Sequence, residues 1–187
     1  MSATVTIRRA RFGDARGIAS VHVETWRTAY AGMLPDRVIV QMSVDEKAAA
    51  WRRMIEQQNG AEAVLVAAHG ERVIGFANCS HAGPDMADYD GEIHMLYVTP
   101  DWQDRGIGRA LLRGCFQALF DAGIDGAFLW VLADNPARFF YEAMGGQRIG
   151  ERDERLWGVV MHESAYGWRH LDTMPQPWHK QDRDVST

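Results

Sequence analysis

The stretch from Leu96 to Leu112, LYVTPDWQDRGIGRALL, constrains this chain more than any other. It predicts an apolar strand, a proline stop, a tight turn carrying two glycines, and then a helix. Pro100 has no N–H to give to a ladder and ends the strand. Gly106 and Gly108 permit positive φ and leave no Cβ where another molecule must approach the backbone. Ile107, Leu111, Leu112, Cys115, Phe116 and Leu119 then recur at the spacing of a helix with one buried face. A helix start preceded by glycines presents unpaired N–H groups and the positive end of the dipole, which suits an anion, usually a phosphate.

Three phosphate-binding turns compete for this start. A dinucleotide fingerprint needs a further glycine where Leu111 stands, and a P-loop needs Gly-Lys-Ser/Thr where the chain has Gly108-Arg109-Ala110. The third pattern, Gln103-x-x-Gly106-x-Gly108 directly after Val98-Thr99-Pro100, resembles the acetyl-CoA loop of the GNAT family of N-acetyltransferases. An ordinary strand–turn–helix, with glycines there for geometry, is the plainer alternative. The second half adds Asn135-Pro-Ala-Arg-Phe-Phe-Tyr141-Glu-Ala-Met-Gly-Gly146, similar to the family's Asn…Tyr-Glu-x-x-Gly-Phe segment. It departs in two ways: Asn135 and Tyr141 stand one residue closer than is usual in the family, and Gly146 replaces the phenylalanine. Val23 to Pro35 also looks like a common opening among members.

The remaining chain reads as an α/β domain. Thr4–Arg9 is a strand, and Asp14 is the expected cap of a helix carrying Ile18, Val21, Thr25, Trp26, Ala29 and Tyr30 and ending near Gly32. Pro35 opens a new segment, and Ser43-x-x-Glu46 is a capping box for a second helix to about Gln58. Ala61–Ala68 and Arg72–Ser80 form a hairpin, His81–Asp90 a loop, and Gly91–Val98 the central strand. After the long helix to Gly123 come a strand at Ala127–Leu132, a short helix capped by Asn135 with Pro136 at its first position, and strands at Gln147–Arg152 and Trp157–Trp168. The expected fold is therefore a single domain over residues 1–171, with a mixed sheet of about seven strands flanked by about four helices. Residues 172–187, with Pro175 and Pro177, are expected to be a flexible tail. The GNAT resemblance spans almost the whole order.

Charge and composition exclude some functions. A net charge of −5 and a pI near 5.8 speak against a nucleic-acid partner. Cys79 and Cys115 have no metal spacing and no disulfide framework, and they read as buried small hydrophobes. No apolar run is long enough for a membrane span and no signal peptide opens the chain, so a cytoplasmic protein with no membrane partner is expected.

The resemblance implies acetyl transfer from acetyl-CoA to a primary amine of a small molecule, with no metal and with homodimers frequent in the family. An alkyl amine near pKa 10.4 is free base at only about one part in a thousand at neutral pH, so the reaction wants a proton acceptor. The departing thiolate wants a donor near sulfur. Tyr141 is the expected donor, a core aromatic being the alternative, and Glu92 is the expected base, a solvated carboxylate being the alternative. His94 shares the strand face of Glu92 and is a substitute base or a core histidine. The resemblance carries cofactor contacts onto Leu96, Tyr97 and Val98 as backbone pairing with the pantetheine arm. It places the pyrophosphate on Gln103, Asp104, Arg105, Gly106, Ile107, Gly108, Arg109 and Ala110, and adds Asn135. For the acceptor, Trp26 and Tyr30 are expected to line a wall, with Asp85 and Asp88 of an acidic loop drawing a cationic, even polycationic, amine. A non-catalytic acyl-CoA-binding module, a nucleotide-binding domain and an enzyme acting on protein N-termini are the competing functions.

Overall fold

A seven-stranded mixed sheet carries the described part of this computed structural model, residues 4–30, 32, 35–84, 86, 88–156 and 158–173. The elements are β1 (Val5–Arg9), α1 (Ala15–Ala29), α2 (Asp36–Val40), α3 (Val44–Glu56), β2 (Ala63–His69), β3 (Arg72–His81) and β4 (Gly91–Val98). They continue with α4 (Ile107–Asp121), β5 (Ala127–Leu132), α5 (Ala137–Ala143), β6 (Gln147–Leu156) and β7 (Val159–Trp168). The sheet order is β1-β2-β3-β4-β5-β7-β6. Every neighbouring pair is antiparallel except β4–β5.

Two cores explain the layering. On the back face, Ile107, Leu111, Leu112, Cys115 and Leu119 of α4 pack with Leu65, Ala77, Ile93 and Leu129, joined by Tyr141 of α5. On the front face, Ile18, Ala19 and Val21 of α1 and Trp51 of α3 pack on Val64, Val66 and Phe76. Because β2 is covered on both sides, its sequence AVLVAA is a continuous apolar run rather than an alternating one. Both cysteines are buried in the back core, as their apolar surroundings in the sequence predict.

Several local expectations change. Asp14 precedes α1 but gives it no side-chain cap; its carboxylate accepts two bonds from Arg8 (2.6 and 2.9 Å) and one from the Arg11 N–H (2.7 Å). Burial pushes the Asp14 carboxyl up, but Arg8 and the Arg11 N–H outweigh it, and the net direction is down. Ser43 Oγ does accept the Glu46 N–H (3.3 Å) and starts α3. Residues 36–40 form a short helix, α2, that the sequence does not announce. Asn135 Oδ1 accepts the Ala137 N–H (2.9 Å), so the asparagine caps α5 while Pro136 stays just outside it. The last hairpin is longer on its first arm than expected: β6 reaches Leu156, and Trp157 lies outside the described residues. Gly146 stands where a Cβ would meet Trp168 Cζ2 at 2.8 Å and the Tyr141 carbonyl at 2.9 Å, so Trp168 fills the room a side chain there would take. The described chain continues to Thr173, and the rest of the predicted tail lies outside it.

Candidate active site

The site begins where β4 leaves β5. These parallel strands pair only at Gly91↔Ala127 and Glu92↔Phe128 and then part. A bulge drives the separation. Asn78 faces Met95 but Cys79 faces Ile93, so His94 is an extra residue in β4, and an extra residue bends and twists a strand. Its effect shows in the faces: Ile93, Leu96 and Val98 join the back core, whereas Met95 and Tyr97 join the front. From Ile93 onward β4 therefore has an edge inside the sheet with no strand on its β5 side.

At the end of that edge is the glycine turn. Gln103 Nε2 donates to the Val98 carbonyl (3.0 Å), Asp104 takes φ +60° and Gly106 φ +77°. Of the two glycines that permit positive φ only Gly106 uses it; Gly108 is an ordinary helical residue in the first turn of α4. The first helical bond runs from the Ala110 N–H to the Gly106 carbonyl (3.0 Å). The amides of Ile107, Gly108 and Arg109 precede it and point out of the helix start, while that of Ala110 is already bonded. Arg109 folds back so that its Nη2 lies 3.8 Å from where a Gly106 Cβ would be, and Arg105 stacks on Trp102 at 5.0 Å. Gly108 faces Phe140 of α5 (3.5 Å from its ideal Cβ) and Leu96 of β4 (3.7 Å). These three form an apolar contact that joins α4, α5 and β4 next to the turn. Phe140 is a lining residue that sequence reasoning passed over, although it adjoins Tyr141.

Three buried or half-buried phenols belong to the candidate site. Tyr97 accepts a bond from Trp26 Nε1 (3.1 Å) and lies 3.4 Å, oxygen to oxygen, from Tyr30, whose hydroxyl also bonds the Asn135 side chain. Burial raises the Tyr141 phenol well above its ordinary range, and the nearby Tyr30 and Cys115 push it the same way. Tyr97 is likewise pushed up, by burial first and then by Tyr30. Tyr141 belongs to the back core and Tyr97 to the front one, with Tyr30 beside Tyr97.

The sequence from 23 to 146 matches the family model described as the Acetyltransferase (GNAT) family. The chain belongs to the GNAT family. It is 32% identical over 171 residues to the uncharacterized N-acetyltransferase YuaI of Bacillus subtilis, covering 91% of this chain and 96% of that protein. It is 38% identical over 102 residues to the N-alpha-acetyltransferase RimI of Mycobacterium tuberculosis, covering 54% of this chain and 60% of RimI. Its fold matches YncA from Salmonella typhimurium, a putative acetyltransferase solved with acetyl-CoA. That match has a TM-score of 0.66 and 20% identity, over 93% of this chain and 98% of YncA. The protein is thus an acetyl-CoA-dependent acyltransferase.

In this GNAT chain the front face of β4 and β5 carries Glu92, His94 and Trp130, opposite the back core that takes Leu129 and Val131. Arg152 of β6 lies 4.2 Å above the Trp130 ring and donates to Glu163 of β7 (2.7 Å). At one end Trp26 and Tyr30 pack with Leu132, Met161 and Ile39 of α2. At the other, the Tyr89 ring lies over Gly167 and beside Phe128 (6.2 Å). The predicted acceptor residues are therefore split. Trp26 and Tyr30 lie at the Leu132 end of β5, but the Asp88 carbonyl is 3.2 Å from the ideal Cβ of Gly126, beyond the opposite end. A strand of that length spans about 17 Å. Asp88 also accepts from Arg169 (3.0 Å), which offsets its charge. Asp85 lies outside the described residues. Glu92 and His94 do come together, Oε1 to Nδ1 at 3.5 Å, and His94 is an exposed residue rather than a core histidine.

Proposed function

We propose that this GNAT enzyme acetylates the primary amine of a small molecule by direct attack on the thioester of acetyl-CoA. The observation that carries the reading is the two-pair ladder between β4 and β5, beyond which β4 has a free edge; the unpaired amides at the start of α4, the buried Tyr141 phenol and the Glu92–His94 pair support it. In the reading, pantetheine lies along the free edge of β4 at Leu96, Tyr97 and Val98, in the manner of an added strand. The pyrophosphate lies on the amides of Ile107, Gly108 and Arg109, with Arg105 and Arg109 supplying charge and Gln103 and Asp104 shaping the turn. Asn135 holds Tyr30 at the meeting point of cofactor and acceptor.

Attack forms the nitrogen–carbon bond and breaks the carbon–sulfur bond. Tyr141 hydrogen-bonds the departing sulfur. Because burial raises its pKa, the phenol keeps its proton, and the thiolate is protonated by solvent on release. The Glu92–His94 pair takes the proton lost by the amine. Trp26 and Tyr30 wall the acceptor, and the Glu92 carboxylate favours a cation there, the charge of Glu163 being offset by Arg152. The relationship to RimI supports a second acceptor class, the N-terminal amine of a protein.

The test is thiol release from acetyl-CoA across a panel of mono-, di- and polyamines, neutral and acidic amino acids, and a peptide with a free N-terminus. Turnover of small amines above the peptide is expected, with KM rising as salt is added. Turnover confined to the peptide would transfer the assignment to protein N-termini. No turnover with tight acetyl-CoA binding would leave a binding module.

A further inference from the structure

Ser80, on the strand beside β4, has no role in the reaction as derived so far, yet its hydroxyl joins two partners. Its Oγ lies 2.8 Å from the His81 carbonyl oxygen and 2.7 Å from His94 Nε2. A carbonyl oxygen only accepts, and a hydroxyl has one hydrogen, so Ser80 donates to His81. Toward His94 it is left with lone pairs alone. The arrangement that places a hydrogen in both short contacts has Nε2 as the donor, so that the neutral ring carries its hydrogen on Nε2 and leaves Nδ1 bare. That bare nitrogen is the one turned to Glu92 Oε1, 3.5 Å away. Between a bare nitrogen and an ionised carboxylate there is no hydrogen to share. A proton arriving on Nδ1 changes this, because the ring then donates to Ser80 on one side and to Glu92 on the other.

We propose that Nδ1 of His94 is the atom that accepts the proton of the attacking amine, and that Ser80 is the positioning residue that keeps this nitrogen bare. The inference rests on the acetyl-transfer reading above and divides the work within the pair: the imidazole receives the proton and Glu92 holds the imidazolium. In water an imidazole outcompetes a carboxylate for a proton by about two pKa units. The bulge gives the arrangement its place, since His94 is the extra residue at the point where β4 leaves β5. As the amine nitrogen bonds to the carbonyl carbon, its proton passes to Nδ1; the thiolate departs, and the ring later returns the proton to solvent.

The tautomer can be read in the free enzyme by long-range proton–nitrogen correlation of the imidazoles at pH 8. The expected wild-type spectrum has hydrogen on Nε2 of His94 and none on Nδ1. In Ser80→Ala the hydrogen is expected to move to Nδ1, drawn by Glu92, and kcat to fall about tenfold with the KM for acetyl-CoA unchanged. Ser80→Thr should restore both the tautomer and the rate. A wild-type ring protonated on Nδ1 would overturn the proposal, as would a Ser80→Ala enzyme whose tautomer moves at full kcat. The spectrum needs no acceptor, so an unexpected tautomer sinks this inference alone, whereas failure of every amine to release thiol sinks the acetyl-transfer reading.

Discussion

Tyr141 and His22 show what burial does to a single titratable side chain. In Tyr141 it keeps the phenol protonated, which the proposed role as hydrogen-bond donor to the departing sulfur requires. Tyr141→Phe keeps the ring in the back core and deletes the hydroxyl, so kcat should fall about 10²-fold with acetyl-CoA binding unchanged in a direct titration. His22, in α1 beneath Trp26, accepts from Trp51 Nε1 (3.3 Å), and burial, helped by Lys47, pushes its pKa down to about 4. Its folded state thus prefers the neutral ring. The associated stability is complete above the ordinary value near 6.5 and is lost as pH falls from there toward 4. The loss should be on the order of 3 kcal/mol. Urea unfolding at pH 7.5 and 4.5 measures it, and His22→Phe should remove most of the difference. Tyr141, Glu92 and His94 were legible in the sequence because a motif or a strand period points at them. Ser80, Trp130, Arg152 and Glu163 were not, because register and bulge bring them to the site and no spacing records either.

At the scale of elements, the strand–turn–helix of β4 and α4 was readable almost to the residue, since proline, glycine and the apolar period punctuate it. What the pattern could not show is which glycine bends the chain. Gly106 does, whereas at Gly108 a Cβ would make only ordinary contacts with Phe140 and Leu96. Gly108→Glu should therefore fold normally, by circular dichroism and melting temperature, and lose acetyl-CoA binding in calorimetry, because its carboxylate occupies the anion's place at the helix start. β6 was underestimated for a different reason. Its outer half, Glu151 to Arg155, consists of charged residues; those past Arg152 carry no strand signal in the sequence, yet such a run suits an edge strand that must not pair with another chain. α2 escaped because five residues carry no period worth reading. The acidic loop looked like one electrostatic site because its residues adjoin in sequence, but in space Asp88 turns to Arg169.

Across the whole molecule, β1 to β4 with α1, α3 and α4 form one body of the sheet, and β5 to β7 form another. The ladder that joins them is two residue pairs long. An interior seam this short leaves the facing amides of β4 and β5 open to solvent whenever the halves breathe. Acetyl-CoA bound along β4 would act as a splint across the seam. Amide hydrogen exchange should then slow on binding not only at residues 106–109, which the ligand touches, but along both lips, residues 93–98 and 129–132. The stabilisation of the native state should approach about 2.7 kcal/mol at a hundredfold excess over Kd. Protection confined to the helix start would mean that the two halves are held together without the ligand. Protection along both lips would make the cosubstrate a transient strand of the sheet, so that each release of CoA unlatches the molecule along its middle.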